Sequence, residues 1–144
     1  QINDLVDRTP RRDPMSQPRV LIVEDEPDNR EIVRAVVEDI LGCRADLAGD
    51  GLEALSKVFE EVPSLVLLDL MLPRLDGYEV ARRVRNDPRT SHVPIIAITA
   101  LARPRDRTRA LEAGCDDYVD KPFDLDVLER KIRCRVSGAK RETA

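Results

Sequence analysis

The chain has no tryptophan, and only two tyrosines and two phenylalanines among 144 residues. Apolar residues still make up 42 %, so a core can form, but it must be built from Leu, Val, Ile and Ala. No apolar run approaches the roughly 20 residues of a membrane-spanning helix, so no membrane segment is expected. There is one histidine, His92, in a polar stretch that suggests no role for it. The three cysteines, Cys43, Cys115 and Cys134, are odd in number, widely spaced and contain no Cys-x-x-Cys pair. This argues against both a disulfide framework and a zinc site, and the thiols read as structural side chains in a reducing compartment. No secretory signal is visible, and a cytoplasmic location is expected. A strong excess of one charge is also missing. Charged residues reach 36 % while the net charge is only −4, so both signs are mixed and no basic nucleic-acid footprint stands out.

What is present is alternation. "RVLIV" (19–23) reads as a buried strand. "PDNREIVRAVVEDIL" (27–41) opens with Pro27 at a first helical position, and Ile32, Val33, Val36, Val37, Ile40 and Leu41 recur at helical spacing. "CRADLA" reads as a weaker strand. "DGLEALSKVFEE" and "DGYEVARRVRN" each begin with Asp (Asp50, Asp76) and carry Glu three residues later (Glu53, Glu79), the pattern of a capping box. "SLVLLD" and "VPIIAIT" are strands ending in Asp69 and Thr99. "PRDRTRALEAG" is a helix stopped by Gly114. "DYVD" is a short strand, and "DLDVLERKIRCRV" is a last helix capped by Asp124. Five β/α units in a row imply an α/β fold: a doubly wound, parallel five-stranded sheet with helices on both faces. Residues 1–18 carry mixed charge and three prolines and read as an arm or linker. Residues 19–136 form the folded unit, and 137–144 read as a tail.

In such sheets ligands bind beyond the carboxyl ends of the strands. Glu24, Asp25 and Asp69 are all placed at that edge, where crowded carboxylates repel one another unless a cation intervenes. Lys121 supplies one positive charge. A divalent hard cation would bring the sum to zero, and Mg²⁺ suits oxygen ligands shared with a phosphoryl group. Asp69 can then act as a nucleophile on phosphorus, Lys121 can neutralise one phosphoryl oxygen, and the Thr99 hydroxyl with the Ala100 N–H can hold another.

The segments "VEDE", "LLDLMLPRLDG", "IAITA" and "AGCDDYVDKPF" occur in order over roughly 19–136. Together they resemble the CheY-like receiver domain of bacterial two-component response regulators. The resemblance implies a flavodoxin-like (βα)5 fold with strand order 2-1-3-4-5. It implies Asp69 as phosphoacceptor, with Glu24, Asp25 and the Met71 backbone carbonyl joining it around Mg²⁺. It further implies phosphoryl contacts from Thr99, Ala100 and Lys121, a cis Lys121–Pro122 bond, and a switch in which Tyr118 swings inward as Thr99 moves. The surface that would change is the fourth helix, fifth strand and fifth helix. Glu24 replaces the commoner Asp of the family. Asp120 adds an acid beside Lys121, but strand alternation points it away.

The expected partners are a histidine kinase or phosphotransfer protein and a downstream protein target on the switch surface. A homodimer is possible, and neither nucleic acid nor membrane is expected to be bound. The favoured reading is a single-domain switch that is not an enzyme beyond catalysing its own phosphorylation and dephosphorylation. The alternative is a receiver cut from a hybrid histidine kinase that works in a phosphorelay. A true hydrolase or flavin module fits less well. Asp69-Leu70-Met71 lacks the second acid of an Asp-x-Asp phosphatase, and no glycine-rich loop follows the first strand. Glu26 and Asp28 read as helix-start acids. Arg103, Arg105, Arg107 and Arg109 read first as a solvated helix face and second as a docking surface for an acidic partner.

Overall fold

Short aliphatic runs bounded by turn residues make the strands, and the computed structural model describes residues 17–100 and 103–136. The strands are β1 (Arg19–Val23), β2 (Arg44–Ala48), β3 (Leu65–Asp69), β4 (Ile95–Thr99) and β5 (Asp117–Asp120). They form one sheet in the order β2-β1-β3-β4-β5, with every pair parallel. The helices are α1 (Pro27–Ala35), α2 (Gly51–Glu60), α3 (Gly77–Asn86), α4 (Pro104–Ala113) and α5 (Leu125–Val136).

Alternation along each strand sends its side chains to two separate cores. Leu21, Val23, Val66, Leu68, Ile95 and Ala97 face α2, α3 and α4, where Ala54, Val58, Val80, Val84 and Ala110 meet them. Val20, Ile22, Leu65, Leu67, Ile96 and Ile98 face α1 and α5, where Val33, Val37, Leu128 and Ile132 cover them. The sheet is therefore buried on both sides, which is why its strands read as unbroken apolar runs.

Helix ends follow the expected chemistry. The carboxylates of Glu26, Asp50 and Asp76 accept from the N–H groups of Asn29, Glu53 and Glu79, and Asp124 accepts from Val127. In α2 the Glu53 carboxylate reaches back to the Gly49 N–H at 2.8 Å. In α3, Glu79 instead turns to Arg82 and Arg83. Gly114 ends α4 in the left-handed region at φ 117.

Two boundaries differ from the sequence expectation. The first helix does not run as α-helix to residue 41. It passes into a π-helix over Val36–Ile40, with the Leu41 N–H bonding the Val36 carbonyl at 3.0 Å. The wider turn keeps Val36 and Val37 on the sheet and turns Ile40 out to 55 % exposure, off the apolar stripe assigned to it. At the start, Gln17 and Pro18 are engaged with the fold: Gln17 donates to the Gly42 carbonyl, and the Pro18 carbonyl accepts from Arg44. The rest of the expected arm and the expected tail (137–144) lie outside the described residues.

Candidate functional site

Register places the acids. Val23 pairs with Leu68, so the next residues, Glu24 and Asp69, emerge side by side at the carboxyl edge. Both are nearly inaccessible, at 3 % and 5 %, whereas Asp25 is exposed. Carboxylate oxygens of Glu24, Asp25 and Asp69 lie within 4.8 Å of one another. The ammonium of Lys121 bridges the two buried acids, 2.9 Å from Glu24 Oε1 and 2.8 Å from Asp69 Oδ2.

Backbone donors fix the remaining oxygens. The Glu26 N–H donates to Glu24 Oε2 at 3.1 Å, and the Met71 N–H donates to Asp69 Oδ1 at 2.9 Å. Arg30, one turn into α1, donates to the Glu24 carbonyl at 3.1 Å and steadies the turn. Thr99 is fully buried at the end of β4, and its carbonyl accepts from the Lys121 N–H at 3.0 Å. Ala100 is exposed just beyond it. The Lys121–Pro122 bond is cis, as the resemblance implied.

The electrostatics follow from this crowding. Burial pushes the Glu24 carboxyl above its ordinary value; the hydrogen bond from Lys121 pulls the other way without cancelling it, and the Asp69 charge adds to the rise. Burial also pushes Lys121 toward its neutral form. Its hydrogen bonds to Asp69 and Glu24 together outweigh that and hold its pKa above the usual lysine value. Three carboxylates against one ammonium leave two negative charges at one sheet edge. All the donors are oxygens, so the set suits a hard divalent cation.

The loop between β3 and α3 borders this cluster and is closely held. A side chain at Gly51 would meet the Leu75 carbonyl at 2.1 Å, and one at Gly77 would meet the Asp69 carbonyl at 2.5 Å. Only glycine lets the start of α2 lie so near the β3–α3 loop, and the start of α3 so near the end of β3. Arg74 adopts a left-handed φ of 72 and pairs with Asp50 at 3.6 Å. The Met71 side chain projects outward at 58 % exposure. A groove of about 490 Å³ runs from Asp25 and Met71 past Leu72 and Asp76 to Tyr78 and Arg109.

Tyr118 sits inward, 8 % exposed, and its hydroxyl is buried with no hydrogen-bond partner among the described residues. Burial raises its pKa to about 12. Asp120 turns away from Lys121, as strand alternation required, and pairs with Arg107 at 3.1 Å. Arg103, which caps α4, and the three arginines within it are mostly engaged within the chain. Arg103 pairs with Asp106 and Arg107 with Asp120, while Arg109 lies 3.8 Å over the Tyr78 ring. This favours the first reading of that run over a free docking surface. Cys43 and Cys115 are buried and Cys134 is exposed. Sequence reasoning missed Arg30, Arg107 and Arg109 as neighbours of site residues. The basic run drew attention to Arg107 and Arg109, but not to their partners, because each contact crosses between elements.

Comparison with known proteins gives the family. The response regulator receiver domain family matches residues 20–133. The chain is 36 % identical over 116 residues to the DNA-binding dual master transcriptional regulator RpaA of Synechocystis, covering 81 % of this chain and 48 % of that protein. It is 46 % identical over 115 residues to the probable transcriptional regulator ycf27 of Guillardia theta, covering 80 % and 44 %. It thus spans about half the length of these curated relatives. Among solved structures it is similar to the receiver domain of the sensor histidine kinase PA1611 from Pseudomonas aeruginosa, which has a magnesium ion coordinated in the active site cleft. The TM-score is 0.77 at 36 % identity, over 85 % of this chain and 99 % of that one. No helix among the described residues is long and apolar enough to cross a membrane.

Proposed function

The chain belongs to the response regulator receiver domain family, and on that premise we propose that it is a phosphorylatable switch whose acceptor is Asp69. The donor is the phosphohistidine of a histidine kinase or phosphotransfer protein. The reading rests on one observation above all: Asp69 and Glu24 are buried side by side, share the Lys121 ammonium and lie within 4.8 Å of the exposed Asp25.

An Asp69 carboxylate oxygen attacks phosphorus and a new O–P bond forms. The donor N–P bond breaks, and its electron pair stays on the imidazole nitrogen, which takes up a proton. The protein's work is positioning and charge neutralisation. Lys121 is already 2.8 Å from Asp69 and follows the charge onto a phosphoryl oxygen. The Thr99 hydroxyl and the Ala100 N–H take another. Glu24, Asp25, Asp69 and the Met71 carbonyl would hold Mg²⁺, which when bound supplies further charge neutralisation at the phosphoryl oxygens. The consequence is a change in the surface of α4, β5 and α5, read by a protein partner or a second copy of the chain. Turnover of a separate substrate is not part of this reading. Nor is nucleic-acid binding by α4, whose arginines are largely engaged within the chain.

Incubation with a small phosphodonor and Mg²⁺ tests this. Intact mass should show one added phosphoryl group on the wild type and none on Asp69→Ala; an unmodified wild type overturns the proposal. Met71 offers no polar side-chain atom to orient an attacking water, so the acyl phosphate should decay slowly when no partner is present.

A second reading draws support from the likeness to the PA1611 receiver, which belongs to a histidine kinase. Here the chain relays its phosphoryl group to a histidine on another domain. Transfer of label from the phosphorylated chain to a histidine phosphotransfer domain would favour it.

A further inference from the structure

We propose that Arg107 is a positioning residue for the switch, clamping α4 to β5 and holding the Tyr118 ring inward from the solvent side. The proposal rests on the roles given above to Tyr118 and Asp69.

Strand alternation puts Tyr118 and Asp120 on the same face of β5, and one guanidinium grips both. Arg107 Cζ lies 4.9 Å from the centre of the Tyr118 ring, and its Nη2 lies 3.1 Å from Asp120 Oδ2. Arginine is suited to this because its planar group can stack on a ring and still direct an N–H at a carboxylate. The contact also meets a need. A buried hydroxyl without a partner is unfavourable, so the inward position of Tyr118 must be held by other contacts. Arg107 closes over the ring from the side that faces water.

The clamp also ends close to the chemistry. Asp120 pairs with Thr99 in the β4–β5 register, and Lys121 follows it directly. The Lys121 N–H bonds the Thr99 carbonyl, and its ammonium bonds Asp69. A contact from α4 thus ends opposite Thr99 in the sheet and one residue before Lys121, which bonds Asp69. Arg109 makes a comparable contact with Tyr78, whose hydroxyl is also buried without a partner, but Tyr78 stands in the first turn of α3 and not on β5. It serves as an internal control.

The test uses the full chain labelled with 3-fluorotyrosine, whose two resonances are assigned with Tyr118→Phe. Fluorine spectra are recorded in Mg²⁺ with and without beryllofluoride, a stable stand-in for the phosphoryl group. In the resting state, Arg107→Ala should move the Tyr118 resonance toward that of a solvent-exposed ring and leave Tyr78 in place. Arg109→Ala should do the reverse, and Arg105→Ala should move neither. Half-saturation by beryllofluoride should need about threefold more ligand in Arg107→Ala, the scale of one exposed cation–π contact, with Arg107→Lys between it and the wild type. Asp120→Asn, which removes only the charge of the anchor, should shift Tyr118 in the same direction by less, and it decides the matter if Arg107→Ala does not fold. A Tyr118 resonance unchanged in these variants overturns the clamp. A wild type that never responds to beryllofluoride would instead overturn the phosphoryl-switch reading, while the resting-state spectra still judge Arg107.

Discussion

The two edges of the sheet both bury charge, and they do so in opposite ways. At the amino edge Arg19 is buried on β1. It donates to Asp46 at 2.6 and 2.9 Å and to the Glu61 carbonyl, and Glu61 in turn pairs with Arg44 at 2.9 Å. Arg19 and Arg44 balance Asp46 and Glu61, and the network is closed. At the carboxyl edge Lys121 is the one cation, among the described residues, that pairs with the carboxylates of Glu24 and Asp69, and Asp25 lies beside them. A balanced network holds structure together, whereas an unbalanced one stores unmet electrostatic demand that a ligand can satisfy. The excess negative charge, more than burial itself, marks the carboxyl edge as the site.

Removing the cation at each edge should break the comparison most sharply. Lys121→Met should destabilise the fold by about 3 kcal/mol, since it leaves the buried Glu24 and Asp69 uncompensated, and Arg19→Met by less, since Asp46 and Glu61 remain open to water. Mg²⁺ should raise Arg19→Met by no more than it raises the wild type, and should raise Lys121→Met by more than that; denaturant melts with and without the ion would read this. An equal response at the two edges would contradict the distinction.

The wild type supplies the next test. At about tenfold excess over its dissociation constant, Mg²⁺ should add about 1.4 kcal/mol and raise the melting temperature by roughly 3–5 °C. Asp25→Asn should lose most of that rise. A full response in the variant would remove Asp25 from the ligand set.

The alkaline limb of stability gives a smaller effect. The Lys121 pKa in the fold is raised above its ordinary value of 10.5. Its ion pairs therefore stabilise fully below that pH, and the contribution is lost as pH rises through the folded value. The difference in melting temperature between wild type and Lys121→Met should narrow in that window and stay constant across neutral pH. The smallest effect concerns thiols. Cys115 lies just before β5 at the closed edge, and burial pushes it up to about 12. At pH 8 alkylation should label Cys134 quickly and Cys115 very slowly, with no change on adding Mg²⁺.

Much of this was legible before any coordinates. Capping acids, apolar periods and stop signals located all ten elements, because those rules act within a few residues. The π-turn at Val36–Ile40 was not legible: Val33, Val36 and Val37 fit an α-helical stripe equally well, and only the packing of α1 on the sheet selects the wider turn. At the site, Glu24, Asp25, Asp69, Thr99 and Lys121 could be assigned to one edge, because every parallel strand in such a sheet ends there. The ion pairs of Arg19 with Asp46 and Glu61 were not legible, since those partners lie on other elements.

By itself the sequence determined the order of strands and helices, the aliphatic core and the gathering of three acids, a threonine and a lysine at one sheet edge. These follow from local periodicity and from the handedness of parallel crossovers. Tertiary structure alone decided which acids are buried, that Lys121 bridges Glu24 and Asp69, and that Arg107 spans from α4 to Tyr118 and Asp120. Those outcomes depend on distances across the fold between side chains far apart in the chain, and ion pairs and ring contacts reach full strength only at close approach.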